Sequence, residues 1–217
     1  MNYNKHSDLE GKHAFLGASK SSWLNKSNDQ LIESYARQYI PQIGTALHDI
    51  ARKHIKHGFK LTRSSKKEIL LSVIEDYHIP GYVVDAAIDY DAVFDNLTNY
   101  VNESIGYRMV PEQILYYSEN CFGTADAISQ LDSIFKQKLL RIHDLKTGTT
   151  PVHIEQLLIY AALFLLEYNT KPNEIDIELR IYQNNDIIEH IPSADELVPI
   201  IDRIITADKL LKAAKET

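Results

Sequence analysis

The sequence predicts an α/β fold with a helical N-terminal elaboration. Three observations carry that expectation. Apolar residues recur at helical spacing up to about residue 110, and from Glu112 the pattern changes to short runs rich in Ile, Leu and Tyr. A strongly apolar helical stretch near 151–168 then precedes the alternating segment Ile175–Gln183. At 217 residues, with 44% hydrophobic and 24% charged residues, the chain is long enough to bury a sizeable core. No internal repeat, low-complexity tract or linker divides it, so 1–217 is expected to be a single domain. Residues 1–110 would form its mainly helical part and 111–217 its sheet core.

The first helix is expected from Asn28-Asp29 through Leu31, Ile32, Tyr35 and Tyr39, with Pro41 interrupting the pattern. A second follows Gly44, with Leu47, Ile50, Ala51 and His54 on one stripe and Gly58 just past its end. Ser64-Ser65 precede a helical segment to about Tyr77. After Pro80-Gly81, the residues Val84, Ala87, Ile88, Val93, Leu97, Tyr100 and Val101 continue at helical spacing. Asp85, Asp89, Asp91 and Asp95 fall between them as a solvated acidic face. Gln113–Glu119, Thr124–Leu131 and Lys138–Leu145 are expected to be adjacent strands, with turns at Asn120 and Asp132-Ser133. Pro151 would open the apolar helix through Tyr168. After the strand 175–183 and a turn at Asn184-Asn185-Asp186, Ser193 to Glu196 forms a capping box for a final helix reaching Lys212 or beyond.

Composition excludes several classes of protein. The single cysteine, Cys121, excludes a disulfide framework and any site built from several thiolates of this chain. No apolar run approaches the roughly 20 residues that cross a bilayer, and Met1–Phe15 lacks the apolar centre of a signal peptide. A cytoplasmic protein without a membrane partner is therefore expected. The net charge is −7, yet residues 1–67 carry twelve Lys/Arg against five Asp/Glu, while residues 68–120 carry one against ten. A basic first third on an acidic body is compatible with a local phosphate-binding face or with an ordinary solvated surface.

Chemistry concentrates in three stretches: Phe122-Gly-Thr-Ala-Asp126, Ile142-His-Asp144-Leu-Lys146-Thr-Gly148 and Gln156-Leu-Leu-Ile-Tyr160. On a strand, Asp144 and Lys146 share a face, and Asp126 on a neighbouring strand can meet Asp144 across the ladder. Two carboxylates and a lysine on one sheet face are costly unless a cation neutralises them, and a hard divalent ion with oxygen ligands does so. A lysine beside such an ion can orient a water for in-line attack on a phosphodiester. His143 should face the opposite side of the strand and is expected to be structural. Taken singly, the D-x-K triplet reads as a surface ion pair, Gly-Thr-Ala-Asp equally as a tight turn entering a strand, and Gln156/Tyr160 as a core-edge tyrosine with a solvated glutamine.

In order and spacing, these motifs resemble the PD-(D/E)XK nuclease superfamily, specifically its RecB-like branch, and are similar to phage-encoded nuclease-like proteins. The matching residues are Gly44-x-x-x-His48, Gly123-x-x-Asp126, Asp144-Leu-Lys146-Thr-Gly and Gln156-x-x-x-Tyr160. The opening His13 to Trp23 is also similar to the small/Ser-x-x-x-Trp segment of that group. The resemblance implies a restriction-endonuclease-like core, a mixed central sheet flanked by helices. It implies that His48, Asp126, Asp144 and the Leu145 backbone carbonyl ligate one or two Mg²⁺ or Mn²⁺ ions; Glu112, where some relatives place another acidic residue, is a candidate second-metal or water-mediated ligand or else a strand-entry carboxylate. Lys146 would be the catalytic lysine, and Gln156 and Tyr160 would support the site or contact DNA. The expected activity is a metal-dependent deoxyribonuclease, in exonuclease form, serving phage DNA recombination, replication or processing. A homo-oligomer or a phage recombination or replication partner is compatible with it. Lys20, Lys26, Arg37, Arg52 and Lys53 are candidates to hold the DNA backbone. With one cysteine the chain lacks the iron–sulfur cluster of some relatives, so Trp23, Tyr35 and Tyr39 are expected to anchor its N-terminal helices by packing. The alternatives are a non-cleaving nuclease-fold protein that binds DNA or a host defence protein, and an unrelated metal-dependent hydrolase.

Overall fold

A computed structural model describes residues 4–131, 138–148 and 153–215. Helix α1 (Asn28–Ala36) starts from a reciprocal cap: Gln30 N–H donates to Ser27 Oγ and Ser27 N–H to Gln30 Oε1. A short 3₁₀ turn, Arg37–Tyr39, leads straight into α2 (Ile40–His57). Pro41 therefore sits in the first turn of α2 instead of interrupting a helix, where its missing N–H costs nothing. Gly44 lies inside α2 and not before it. The buried stripe of α2 is Ile43, Ala46, Leu47, Ile50, Ala51 and Ile55. Ile55 thus takes the core position expected of His54, whose Nδ1 instead lies 2.8 Å from the Phe59 carbonyl. Gly58, at φ 71°, ends α2 in the left-handed region that only glycine enters freely.

Helix α3 spans Ser65–Glu75. The expected continuous helical pattern after Gly81 is two helices, α4 (Gly81–Ala87) and α5 (Tyr90–Gly106). Asp89 breaks it, because its carboxylate accepts from the backbone N–H groups of Asp91 and Ala92 and so caps α5. Asp89 is thus a cap as well as an exposed member of the acidic face.

The sheet has five strands in the order β1-β2-β3-β4-β5, namely Val110–Ser118, Cys121–Leu131, Lys138–Leu145, Ile175–Gln183 and Asp186–His190. All neighbours are antiparallel except β3 and β4, which run parallel. That pair needs a crossover, supplied by α6 (Glu155–Glu167). The expected turn at Asp132-Ser133 and the helix opening at Pro151 lie outside the described residues. Strand β5 carried no separate sequence expectation; Asn184 and Asn185, at φ 53° and 59°, form the two-residue hairpin that creates it. The final helix, α7 (Ala194–Lys215), begins at the expected box, with Ser193 N–H donating to Glu196 Oε2 at 2.9 Å and Glu196 N–H to Ser193 Oγ at 3.3 Å.

Helices α2 and α5 pack toward one side of the sheet, burying Ile43, Leu47, Leu97 and Tyr100 with Ala127, Leu145 and Tyr182. On the other side α6 and α7 cover Leu140, Ile142, Ile177 and Ile181. The apolar side chains of β4 alternate with polar ones, so Ile175, Ile177, Leu179 and Ile181 face α6 and α7 while Glu178 on the opposite face ion-pairs with Arg141 and Arg180. His143, fully buried, belongs to the first side: its ring meets those of Tyr107 and Tyr182, and its Nδ1 lies 3.1 Å from the Tyr182 hydroxyl. Before α1, Phe15 packs edge-on against Tyr35 at 5.2 Å, Tyr35 packs against Tyr39 at 5.7 Å, and half-buried Trp23 donates to the Gly17 carbonyl. No described helix is long and apolar enough to cross a membrane.

Candidate metal centre

Strand register fixes the centre. The pairs Pro111↔Ala127 and Gln113↔Ala125 set Glu112 opposite Asp126. The pair Ala127↔His143, at the end of the next ladder, sets Asp144 on the far side of Asp126. Three carboxylates thus form a row across β1, β2 and β3. Helix α2 lowers His48 onto this row, its Nδ1 3.4 Å from Asp126 Oδ2. Ligand atoms of His48, Glu112 and Asp126 all lie within 4.8 Å of one another.

Glu112 stands in the row at a conformational cost. Its φ is 54°, a left-handed value for a non-glycine residue inside a strand, which costs on the order of 1–3 kcal/mol. The twist interrupts regular pairing at Glu112 and leaves its side chain exposed in the groove beside His48 and Asp126. That groove has a volume of about 850 Å³ and is also lined by Pro41, Asp49, Arg52 and Thr124.

Asp144 is almost fully buried and lies beside this three-residue cluster, held on the other flank by lysine. Lys146 Nζ donates to Asp144 Oδ1 at 3.1 Å and lies 3.0 Å from Oδ2, while Oδ2 accepts no hydrogen bond. Lys146 also donates to Gln156 Oε1 at 3.0 Å, and Gln156 Nε2 to the Tyr160 hydroxyl at 3.0 Å. The first turns of α6 therefore aim the lysine. Asp126 accepts from Leu145 N–H at 3.1 Å.

Burial pushes both aspartates up to about 6; Glu112 adds to the rise of Asp126, and Asp126 to that of Asp144. Burial also lowers the pKa of His48, so its imidazole tends to keep a free lone pair. Three carboxylates faced by one lysine, beside an imidazole that burial keeps neutral, constitute a donor set suited to a divalent cation. His48, Glu112 and Asp126 could hold it, with Asp144 and the Leu145 backbone carbonyl adjoining.

Two glycines let the elements approach. A Cβ on Gly44 would meet Thr147 Oγ1 at 3.0 Å, so this glycine allows α2 to close on the end of β3. A Cβ on Gly123 would meet the Tyr160 ring at 2.7 Å. Gly123→Ala is expected to push that ring away and destabilise the fold by about 1–3 kcal/mol, read as a lowered melting temperature. A melting temperature equal to wild type would show that the ring yields freely.

The basic candidates fare unequally. Arg52 lines the groove and is ion-paired with Asp49, which also pairs with Lys53 at 3.4 Å. Arg37 pairs with Glu33 at 2.6 Å, Lys26 binds the Ser34 hydroxyl, and Lys20 is exposed. Asp49 and Thr147 also line the groove; Asp49 has no sequence signal, since a helix-surface aspartate beside arginine reads as an ordinary ion pair.

The fold and the groove define an α/β domain with a five-stranded mixed sheet and a candidate divalent-cation site at its strand row. The chain belongs to the family described as Protein of unknown function (DUF2800), which matches residues 13–215. No curated protein matches it.

Proposed function

We propose that this protein is a metal-dependent nuclease of the PD-(D/E)XK type that hydrolyses phosphodiester bonds in DNA, as in phage DNA recombination, replication or processing. The single observation that carries the proposal is the carboxylate row Glu112–Asp126–Asp144 with His48 beside Asp126 and Lys146 beside Asp144. A Mg²⁺ or Mn²⁺ ion, when bound, supplies Lewis-acid activation of the phosphate and neutralises the charge that develops on it. His48, Glu112 and Asp126 would hold the ion, and Asp144 would both adjoin it and fix Lys146. The Lys146 amine, aimed by Gln156 and Tyr160, orients the attacking water and favours its loss of a proton. Arg52 at the groove wall attracts the phosphate backbone.

The test is incubation of the full chain with end-labelled linear DNA and closed circular DNA, with Mn²⁺ or with chelator. Linear DNA is expected to shorten progressively from its ends with Mn²⁺ and to survive with chelator. Survival of both DNAs in Mn²⁺ would overturn the proposal, and cutting of the circle would make the enzyme an endonuclease.

A further inference from the structure

A second cleft lies where the start of β1 and the end of β2 meet the end of α6. Its volume is about 470 Å³, within the range of small-molecule sites. It shares no lining residue with the carboxylate groove. The buried side chains of Leu115 and Ile128 belong to its lining, and three aromatic rings join them. Tyr107 supplies the first. Its ring is held by Arg141, whose guanidinium carbon lies 4.2 Å from the ring centroid, and by His143, packed edge-on at 5.8 Å. Phe164 and Tyr168 supply the others, their centroids 4.6 Å apart. Contacts within the fold thus fix the rings before anything enters the cleft.

Charge tells what kind of ligand suits it. Among the described residues that line the cleft, Arg108 alone is charged, and none of the ten Asp/Glu of residues 68–120 lines it. Arg108 is exposed, and its guanidinium makes no ion pair or hydrogen bond among the described residues. Ser129, which also lines the cleft, keeps a buried hydroxyl without a hydrogen-bond partner among the described residues. The fold has therefore not used up the polar capacity at this end of the sheet.

The backbone of Arg108 points the same way. It is the first residue beyond the cap of α5, with φ 54°, and Met109 N–H closes the helix end on the Ser104 carbonyl at 2.8 Å. Glycine fills that left-handed position without steric cost, as Gly58 does at the end of α2. An arginine there carries strain that the turn itself does not require. What it adds is a cation beside the rings.

We propose that this cleft binds a small organic anion whose flat apolar body lies against Tyr107, Phe164 and Tyr168 and whose carboxylate or phosphate meets the Arg108 guanidinium. The proposal is independent of the nuclease reading, because none of these residues belongs to the carboxylate row.

The full chain, in chelator so that no metal captures the anion, is titrated by calorimetry with 2-naphthoate, 2-naphthyl phosphate and neutral 2-naphthamide. All three probes carry the same body. At least one anion is expected to bind about tenfold more tightly than the amide, the worth of one hydrogen bond to a charged group. The tighter anion names the head group. Arg108→Gly is expected to erase that preference while melting no lower than wild type, since glycine relieves the positive φ. Arg108→Lys keeps part of the preference. Tyr168→Ala weakens all three probes alike, because it removes ring surface and no charge. Failure of both anions to bind, equal affinity for anions and amide, or an Arg108→Gly variant that still prefers the anion would overturn the proposal. A Tyr168→Ala variant that binds every probe like wild type would overturn it equally.

Discussion

Replacing Lys146 by alanine is expected to abolish DNA cleavage while leaving the fold and divalent-ion binding in place. The amine touches two groups: the buried Asp144 carboxylate, 3.1 Å from Oδ1, and Gln156 Oε1 at 3.0 Å. Neither contact belongs to the His48–Glu112–Asp126 cluster, so the substitution leaves those candidate ligands intact. A positioned proton-transfer or water-orienting group contributes about 10²–10⁴-fold to a rate, and a loss of that size is the expected reading on end-labelled DNA. The side chain is about one-third exposed (31%), so truncating it leaves a surface recess and not an enclosed cavity. It does withdraw the positive charge nearest Asp144, whose carboxyl should then hold its proton to still higher pH. Adding Mn²⁺ should therefore stabilise the variant at least as much as wild type in a thermal melt. Cleavage at the wild-type rate would remove Lys146 from the chemistry, and a variant that Mn²⁺ no longer stabilises would make the lysine part of ion binding.

Much of the sheet was legible because its strands obey short-range rules. Residues 138–145 are rich in Leu and Ile, residues 175–183 alternate apolar with polar, and Asn120, Asn184 and Asn185 punctuate the hairpins. The facing of Asp126 and Asp144 also follows from sequence, since one hairpin joins their strands. Local signals failed where two rules competed. Pro41 obeys the rule for helix interruption and the rule for a first turn equally, and only the preceding Arg37–Tyr39 turn, which delivers the chain to α2, decides between them. Asp89 looks like one more acidic surface residue until its carboxylate is found on the N–H groups of Asp91 and Ala92. The left-handed Glu112 could not be read at all: a positive φ on a glutamate flanked by Pro111 and Gln113 has no residue-type signature. Gly44 and Gly123 were visible only as parts of motifs. Their reasons, the hydroxyl of Thr147 and the ring of Tyr160, lie more than thirty residues away in sequence.

The same row of carboxylates makes stability depend on metal and pH in a predictable sense. Asp126 titrates at about 6 in the folded protein, raised first by burial and then by Glu112, against about 4 for an unhindered aspartate. Below about pH 4 it is protonated in both folded and unfolded chains and no penalty exists. As pH rises through 6 the folded state must give up a proton it holds more tightly than the unfolded chain does, and stability falls. Asp126→Asn removes that titration while keeping an oxygen to accept from Leu145 N–H. The metal-free variant is therefore expected to be more stable than wild type at pH 8, by on the order of 2 kcal/mol, and equal to it near pH 4. His48, whose pKa burial lowers, acts in the opposite sense as pH falls and is present in both proteins, so their difference reads the Asp126 carboxyl together with the relief it gives the neighbouring Asp144. With Mn²⁺ the order should reverse. Ligand that binds only the folded state adds RT ln(1 + [L]/Kd), and the variant, lacking one of the three clustered ligands, gains less of it. Urea melts at pH 4 and pH 8, with Mn²⁺ and with chelator, read both effects together. Equal stabilisation of the two proteins by Mn²⁺ would show that Asp126 is no ligand, and a metal-free variant weaker than wild type at pH 8 would show that the carboxylate is already neutralised within the fold.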